Sequence, residues 1–237
     1  RLVSDWSSDV CSSDLPRKDW RIDDNWHVMG LKGTGSKDVV VDGAFIPEHR
    51  THKLIDGFKR RSPGNEVNPA PLFKLPFGQV FVRSVSTTAI GIAQGALDAY
   101  RKNTASRIAA SDGAKVALDP SAQTVAARAH GVIEDLKTQL HRNFEEMLAQ
   151  VKAGEDLPLE RRLKFRVDSS MAVVRSAEVV DALFTESGGR AVFDGSLLQR
   201  AFLDVHTARA HYANNPEKPA RNLGGVLLGQ KNTDYFV

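Results

Sequence analysis

The sequence predicts a mainly α-helical protein in which a short β segment leads into an antiparallel four-helix bundle. Three patterns carry that expectation. Apolar residues from Val125 to Val151 recur every three or four positions, which draws one buried stripe along a long helix. Small residues (Ser84, Ala89, Gly91, Ala93, Gly95, Ala96) crowd the stretch 77–107, where close helix packing needs them. Residues 20–50 instead alternate short extended runs with Asp-Asn and glycine turns.

In chain order, residues 1–15 repeat a Ser-Ser-Asp unit without any helical or strand period, and read as a non-native tail outside the fold. On that reading the natural chain extends further N-terminally, this one is truncated, and Cys11 has no function. Residues 16–50 are a partial β-domain: 20–22 and 26–29 extended, Asp23-Asp24-Asn25 a turn, and 38–45 a strand. Between them Gly30-Leu31-Lys32-Gly33-Thr34-Gly35-Ser36 is a glycine-rich loop. No helical pattern follows it, so a tight β connection suits it better than a phosphate cradle. Pro63, Gly64, Pro69, Pro71 and Pro76 make residues 51–76 a linker or lid.

The bundle occupies 77–213. Asp119-Pro120-Ser121 opens its second helix, whose face is Val125, Ala129, Val132, Leu136, Leu140, Phe144, Met147 and Val151. At ~1.5 Å per residue that helix exceeds ~40 Å before Gly154 closes it. Asp156-Leu157-Pro158 opens the third, with proline in the tolerated first turn. It presents Leu163, Val167, Met171, Val174 and Leu183, and stops at Gly188-Gly189, a pair able to adopt the left-handed conformation. Ser196 with Gln199 reads as a capping box opening the fourth helix. That helix is expected to carry Asp204, His206, Thr207, Arg209 and His211 until Asn214-Asn215-Pro216 breaks it. Residues 214–237 form a C-terminal arm, extended over the bundle or a neighbouring subunit.

The 237 residues, 41% hydrophobic and 26% charged, suffice for a packed core. A net charge of +3 scattered among nearly as many acids does not make a nucleic-acid surface. No unbroken apolar run approaches the roughly 20 residues that span a bilayer. One cysteine rules out an intramolecular disulfide. A cytoplasmic protein with neither nucleic acid nor membrane as partner is the expectation. His27, His49, His52, His130 and His141 fall in no metal-ligand spacing, so no metal is expected.

Several stretches then agree in order: residues Trp26 to Ser36, Val39-Val40-Val41-Asp42, Phe45-Ile46-Pro47, Gly91-Ile92-Ala93-Gln94, Ala96-Leu97-Asp98, Gly188-Gly189, and Leu198-Gln199-Arg200 to Asp204. Together they resemble the C-terminal part of the acyl-CoA dehydrogenase fold, the end of its middle β-domain plus its bundle. The resemblance covers nearly everything from residue 17. Two chemistries share that fold. Acyl-CoA dehydrogenases use FAD and abstract an α-proton with a glutamate. A gapless match from Gly188 puts Tyr212 at the glutamate's place, with His211 just before it and Glu217 beyond Pro216. The segments Gly33 to Asp38 and Asp204 to Pro216 look closer to the oxygenase component of two-component flavin monooxygenases, of the hydroxyphenylacetate or phenol hydroxylase type. That resemblance implies reduced flavin, as FMNH2 or FAD, supplied by a separate NAD(P)H-dependent flavin reductase. With O2 it forms a C4a-hydroperoxide that hydroxylates a small aromatic, phenolic substrate. The chemistry is the flavin's; the protein positions substrate and tunes protons. The fold implies a homotetramer.

Within this resemblance His211 is the candidate base, since an imidazole titrating near 6.5 takes a phenol's proton near neutrality. Its plain structural reading is a cap at a helix end. Tyr212 is its neighbour on the substrate side. Asp204 and Thr207, seven and four residues earlier, are placed to orient it. His206 lies ~140° around the helix from it and belongs to a supporting position. Arg107, thirteen residues after Gln94, matches the family's arginine that touches flavin phosphates across a subunit interface. Gly188 and Gly189 match the glycine pair beside the cofactor, and Arg83 is placed to face flavin or substrate. Helix stops and solvated charges are the plain alternatives for these four. A third reading, outside enzymes, is a helical assembly fragment that holds no flavin.

Overall fold

The computed structural model describes residues 15–51, 53–234 and 237. The expectations for residues 1–14, Cys11 among them, and for His52 lie outside the described residues. Two strands, β1 (Trp20–Asp23) and β2 (Asp38–Val41), pair antiparallel with Trp20 opposite Val41 and Asp23 opposite Asp38. Residues 26–29 do not join them and form a locally bonded turn instead. The His27 N–H goes to Asn25 O at 3.0 Å, and the Trp26 indole donates to Leu31 O at 3.1 Å. β2 stops at Val41, just before Gly43 turns the chain at φ +67°.

The proline-rich stretch expected as a linker holds two short helices, α1 (Leu54–Phe58) and α2 (Pro63–Val67). Pro63 is the first residue of α2, and Asn65 Oδ1 accepts the Ser62 N–H at 3.1 Å. Phe58 meets Phe77 edge-on at 5.2 Å and anchors α1 to the bundle.

The bundle consists of α3 (Phe77–Ser106), α4 (Pro120–Lys152), α5 (Leu159–Ser187) and α6 (Leu197–Arg209). Asp119 caps α4 by accepting the N–H groups of Ser121 and Ala122. Two bonds fix the relative direction of α3 and α5. The Gln79 amide donates to Arg162 O at 3.0 Å near their N-terminal ends, and Arg107 Nη1 donates to Ser187 O at 3.0 Å near their C-terminal ends. The two helices therefore run parallel. α4 runs against both: the Tyr100 hydroxyl, late in α3, reaches Ala122 O early in α4 at 3.3 Å. The pair Arg161–Glu146 ties the start of α5 to the end of α4. α6 returns along α5 through the stacked rings of Phe184 and Phe202, 4.7 Å apart. Up-down-up-down is the result, as the short connections dictate.

α5 is the central helix, packed by α3, α4 and α6 and by α7 (Glu217–Leu227). That position explains why its inward residues are not a single apolar stripe. Ser169, Ser170, Ala172, Ser176 and Ala177 are buried where neighbours approach closely, while Met171, expected on the inward face, is 37% exposed. Ser86 and Ser169 bond across α3 and α5 at 2.9 Å, which satisfies two hydroxyls inside the core. Ile90, Leu97, Ile133, Leu136, Val173, Val180, Leu183 and Leu198 form the dry centre. Each such side chain contributes about 1.5–3 kcal/mol on burial. α3 is, by length and composition, apolar enough to cross a bilayer although no unbroken apolar run gives it away; here its neighbours are α4, α5 and α6.

The C-terminal arm is in large part the helix α7 and not an extended strap. Asn215 Oδ1 accepts the Glu217 N–H at 2.9 Å and starts it. Beyond it the chain folds back onto Asn222, whose Nδ2 donates to Asn232 Oδ1 at 2.7 Å. Asn222 Oδ1 accepts from the Thr233 N–H and hydroxyl at 3.0 and 3.2 Å.

Candidate functional site

The residues singled out from the sequence fall into three groups. The first is a seam between the glycine loop and α6. Leu31 adopts a left-handed φ of +52°, rare for a leucine, and is held there by its neighbours. Asp204 Oδ1 accepts its N–H at 2.6 Å, and its carbonyl receives the Trp26 indole. A Cβ on Gly30 would stand 2.1 Å from the Leu203 carbonyl oxygen, so only glycine permits this approach. A groove of about 560 Å³ opens beside the seam, between Met29–Thr34 and Gln199, Arg200, Leu203 and Asp204.

The second group follows α6. The helix ends at Arg209 and not beyond His211, because Asn214 Nδ2 turns back to take the Ala208 carbonyl at 2.8 Å. His211 instead leads a short 3₁₀ turn, Tyr212–Asn214, and its Nδ1 accepts the Ala213 N–H at 3.1 Å. Asp204 and Thr207 therefore act elsewhere. Asp204 serves Leu31, and the Thr207 hydroxyl donates to Leu203 O at 2.8 Å. His206 Nε2 lies 2.7 Å from Asp181 Oδ1, and its ring packs on Phe202 at 4.5 Å.

Three residues not foreseen from the sequence surround His211 and Tyr212. Arg166 of α5 is 4% exposed, and its Nε and Nη1 have no hydrogen-bond partner among the described residues. Lys218 of α7 donates to the Tyr212 hydroxyl at 3.0 Å and lies 5.5 Å from its ring centre. Buried Asp234 stands 4.0 Å from the Lys218 ammonium. Partial burial, and after it the Arg166 charge, push the His211 pKa below its ordinary 6.5. The hydrogen bond to Tyr212 raises that of Lys218. Arg166, set between Phe165 and Val167 in the first half of α5, was the one signal the sequence offered for this cluster.

Arg83 sits at the same end of the bundle, 3% exposed between α3 and α5, with neither Nη partnered among the described residues. Burial brings its pKa down to about 10, and Asp168 partly offsets the effect. It faces the interior of the bundle and not an open groove.

The third group is at the far end. Arg107 donates one Nη to Ser187 O, and Gly188 takes φ +63°, a conformation that favours glycine. A Cβ on Gly188 would come 3.7 Å from the other Nη. Gly189 continues into the 3₁₀ turn Gly188–Val192. A guanidinium with donors to spare beside a bare backbone suits an anionic oxygen, as a flavin phosphate presents. Arg166 and Ser187 are 21 residues apart on α5, about 32 Å at ~1.5 Å per residue. His211 and Arg107 of one chain thus stand at opposite ends of the bundle.

A β segment docked by a glycine loop onto α6, a parallel-paired α3 and α5, and a histidine turn after α6 define the C-terminal portion of an acyl-CoA dehydrogenase-like flavoprotein fold. The chain belongs to the acyl-CoA dehydrogenase family: residues 84–216, more than half of it, match the family's C-terminal domain. It is 39% identical over 230 residues to the oxygenase subunit HsaA of a flavin-dependent monooxygenase from Rhodococcus jostii RHA1, covering 97% of this chain and 60% of that protein. It is 30% identical to the oxygenase component of p-hydroxyphenylacetate 3-hydroxylase from Acinetobacter baumannii, covering 94% of this chain and 53% of that protein. The crystal structure of 3-HSA hydroxylase from Rhodococcus sp. RHA1 superposes with a TM-score of 0.88 at 39% identity, over 94% of this chain and 58% of that one. The chain thus spans between half and two thirds of the length of these relatives.

Proposed function

We propose that the whole protein is the oxygenase component of a two-component flavin-dependent monooxygenase that hydroxylates a phenolic ring with reduced flavin and O2. One observation carries this reading. The turn that would present a dehydrogenase's glutamate presents His211 and Tyr212, and the carboxylate beside them, Asp234, is buried against Lys218. Residues 211–214 offer polar, hydrogen-bonding groups for a phenol's oxygen and include no carboxylate to draw a proton from carbon; Glu217 lies beyond Pro216, at the start of α7. The named functions of the similar proteins point the same way.

Bound reduced flavin, FMNH2 or FADH2, supplies the oxygen-activating chemistry. The residues present fit it: Arg107, with the bare backbone of Gly188 and Gly189, would hold a phosphate, and His211 and Tyr212 would hold the substrate oxygen. Since the two groups lie at opposite ends of the bundle, a complete site draws on two copies, as in a homotetramer. An NAD(P)H-dependent flavin reductase is the partner, and the cytoplasm is the compartment.

The test supplies the full-length protein with reduced FMN or FAD, O2 and a panel of phenols that includes p-hydroxyphenylacetate. Formation of a catechol supports the reading. Bleaching of tightly bound FAD by an acyl-CoA without oxygen, and no hydroxylated product, would overturn it in favour of a dehydrogenase.

A further inference from the structure

We infer that the turn after α6 holds His211 as a hydrogen-bond donor, with its Nε2–H and not a lone pair turned to the substrate oxygen, and that buried Arg166, on the helix packed against that turn, is a positioning residue for it. The inference rests on the proposed function for the identity of that oxygen, and on the geometry of the turn for everything else.

The Nδ1 edge of His211 is committed, because it accepts the Ala213 N–H that starts the 3₁₀ turn. A neutral ring with an accepting Nδ1 carries its proton on Nε2. Protonating Nδ1 would set one N–H against another and undo the turn. The buried Arg166 charge opposes the imidazolium in the same sense. Charges facing the turn come from each element packed on it: Arg166 from α5, Lys218 from α7, and Asp234 from the C-terminal segment, with the Tyr212 hydroxyl beside them. Two cations against one carboxylate leave the surroundings positive.

A phenol entering here is therefore bound best as its phenolate. The substrate's O–H bond breaks with its proton passing to solvent, and the anionic oxygen then accepts the His211 Nε2–H. Arg166 has no need to touch the substrate. Among the described residues its Nε and Nη1 have no hydrogen-bond partner, so the cost of burying its charge is offset mainly by the facing Asp234 carboxylate and it contributes little as a structural fastener.

The experiment labels histidine with ¹³C and ¹⁵N in the full-length protein and follows the His211 ring by NMR against pH, with His211→Gln for assignment. Arg166→Gln and Arg166→Lys are compared with the wild type, and circular dichroism checks that each is folded. The wild type is expected to show the Nε2–H tautomer and a midpoint below that of an exposed histidine. Arg166→Gln should raise the midpoint by roughly half a pH unit or more, and Arg166→Lys should restore it. The acid limb of kcat/KM should move with it. An Nδ1–H tautomer in the wild type overturns the inference even if neither variant folds, and so does a midpoint that Arg166→Gln leaves in place. Absence of hydroxylase activity with the NMR behaviour intact would sink the oxygenase reading alone.

Discussion

The Asp204 carboxylate accepts the backbone N–H of Leu31 at 2.6 Å, joining α6 to the glycine loop across 173 residues of sequence. It does so where Leu31 holds a conformation that most leucines avoid. The bond and the strain belong together: a charged acceptor stabilises a backbone geometry that the side chain disfavours.

Asp204→Ala is expected to lower stability by about 1.5–3 kcal/mol, the usual worth of a hydrogen bond to a charged group. Asp204→Asn, which keeps an acceptor, should recover part of this. Urea denaturation of both variants measures it, and equal loss in the two would show that the charge is what matters.

Gly30→Ala places a methyl 2.1 Å from a backbone carbonyl that cannot swing aside. The expected cost is at least about 1–3 kcal/mol, together with faster proteolysis within the glycine loop. Gly33→Ala meets nothing within 4 Å and serves as the near-neutral control.

Arg83→Met should stabilise the protein by about 1–3 kcal/mol, because it removes a desolvated guanidinium neither of whose Nη groups has a hydrogen-bond partner among the described residues. The folded pKa of about 10 lies below the unfolded value, so the native state is penalised below pH 10 and relieved as pH rises through it. The gap in melting temperature between variant and wild type should accordingly narrow above pH 10. A fall in turnover alongside the gain in stability would mark Arg83 as a functional residue retained at a cost.

Arg107→Ala should weaken flavin binding by ~10-fold to 100-fold, the loss of one charge-assisted contact to phosphate. Arg107→Lys should not restore it fully, because an ammonium cannot hold Ser187 O and a phosphate with a planar fork. Fluorescence titration with reduced flavin under anaerobic conditions reads both. Affinity unchanged in Arg107→Ala would remove this residue from the cofactor site.

Much of the architecture could be read directly from the chain. α4 declares itself by its period and by the Asp119-Pro120 start, and α5 by Pro158 and Gly188. The order of short motifs pointed to the family as well. What the sequence concealed was set by long-range return of the chain. The length of α6 turned on Asn214 reaching back to Ala208, which no periodicity encodes. α5 is packed by four other helices, so its buried serines and alanines look like surface in a stripe analysis. Asp234 and Lys218 join Arg166 only because α7 folds back. His211 was visible as a residue, while the direction of its ring followed from the turn.

The parallel course of α3 and α5 sends Arg107 and His211 to opposite poles of the molecule. A chain crippled solely at one pole keeps the other sound. If the active crevice pairs one pole with the opposite pole of a second copy, as proposed, two such defective chains should rescue one another when co-expressed. Genetic complementation between single-site mutants is thus written into the direction in which two helices run.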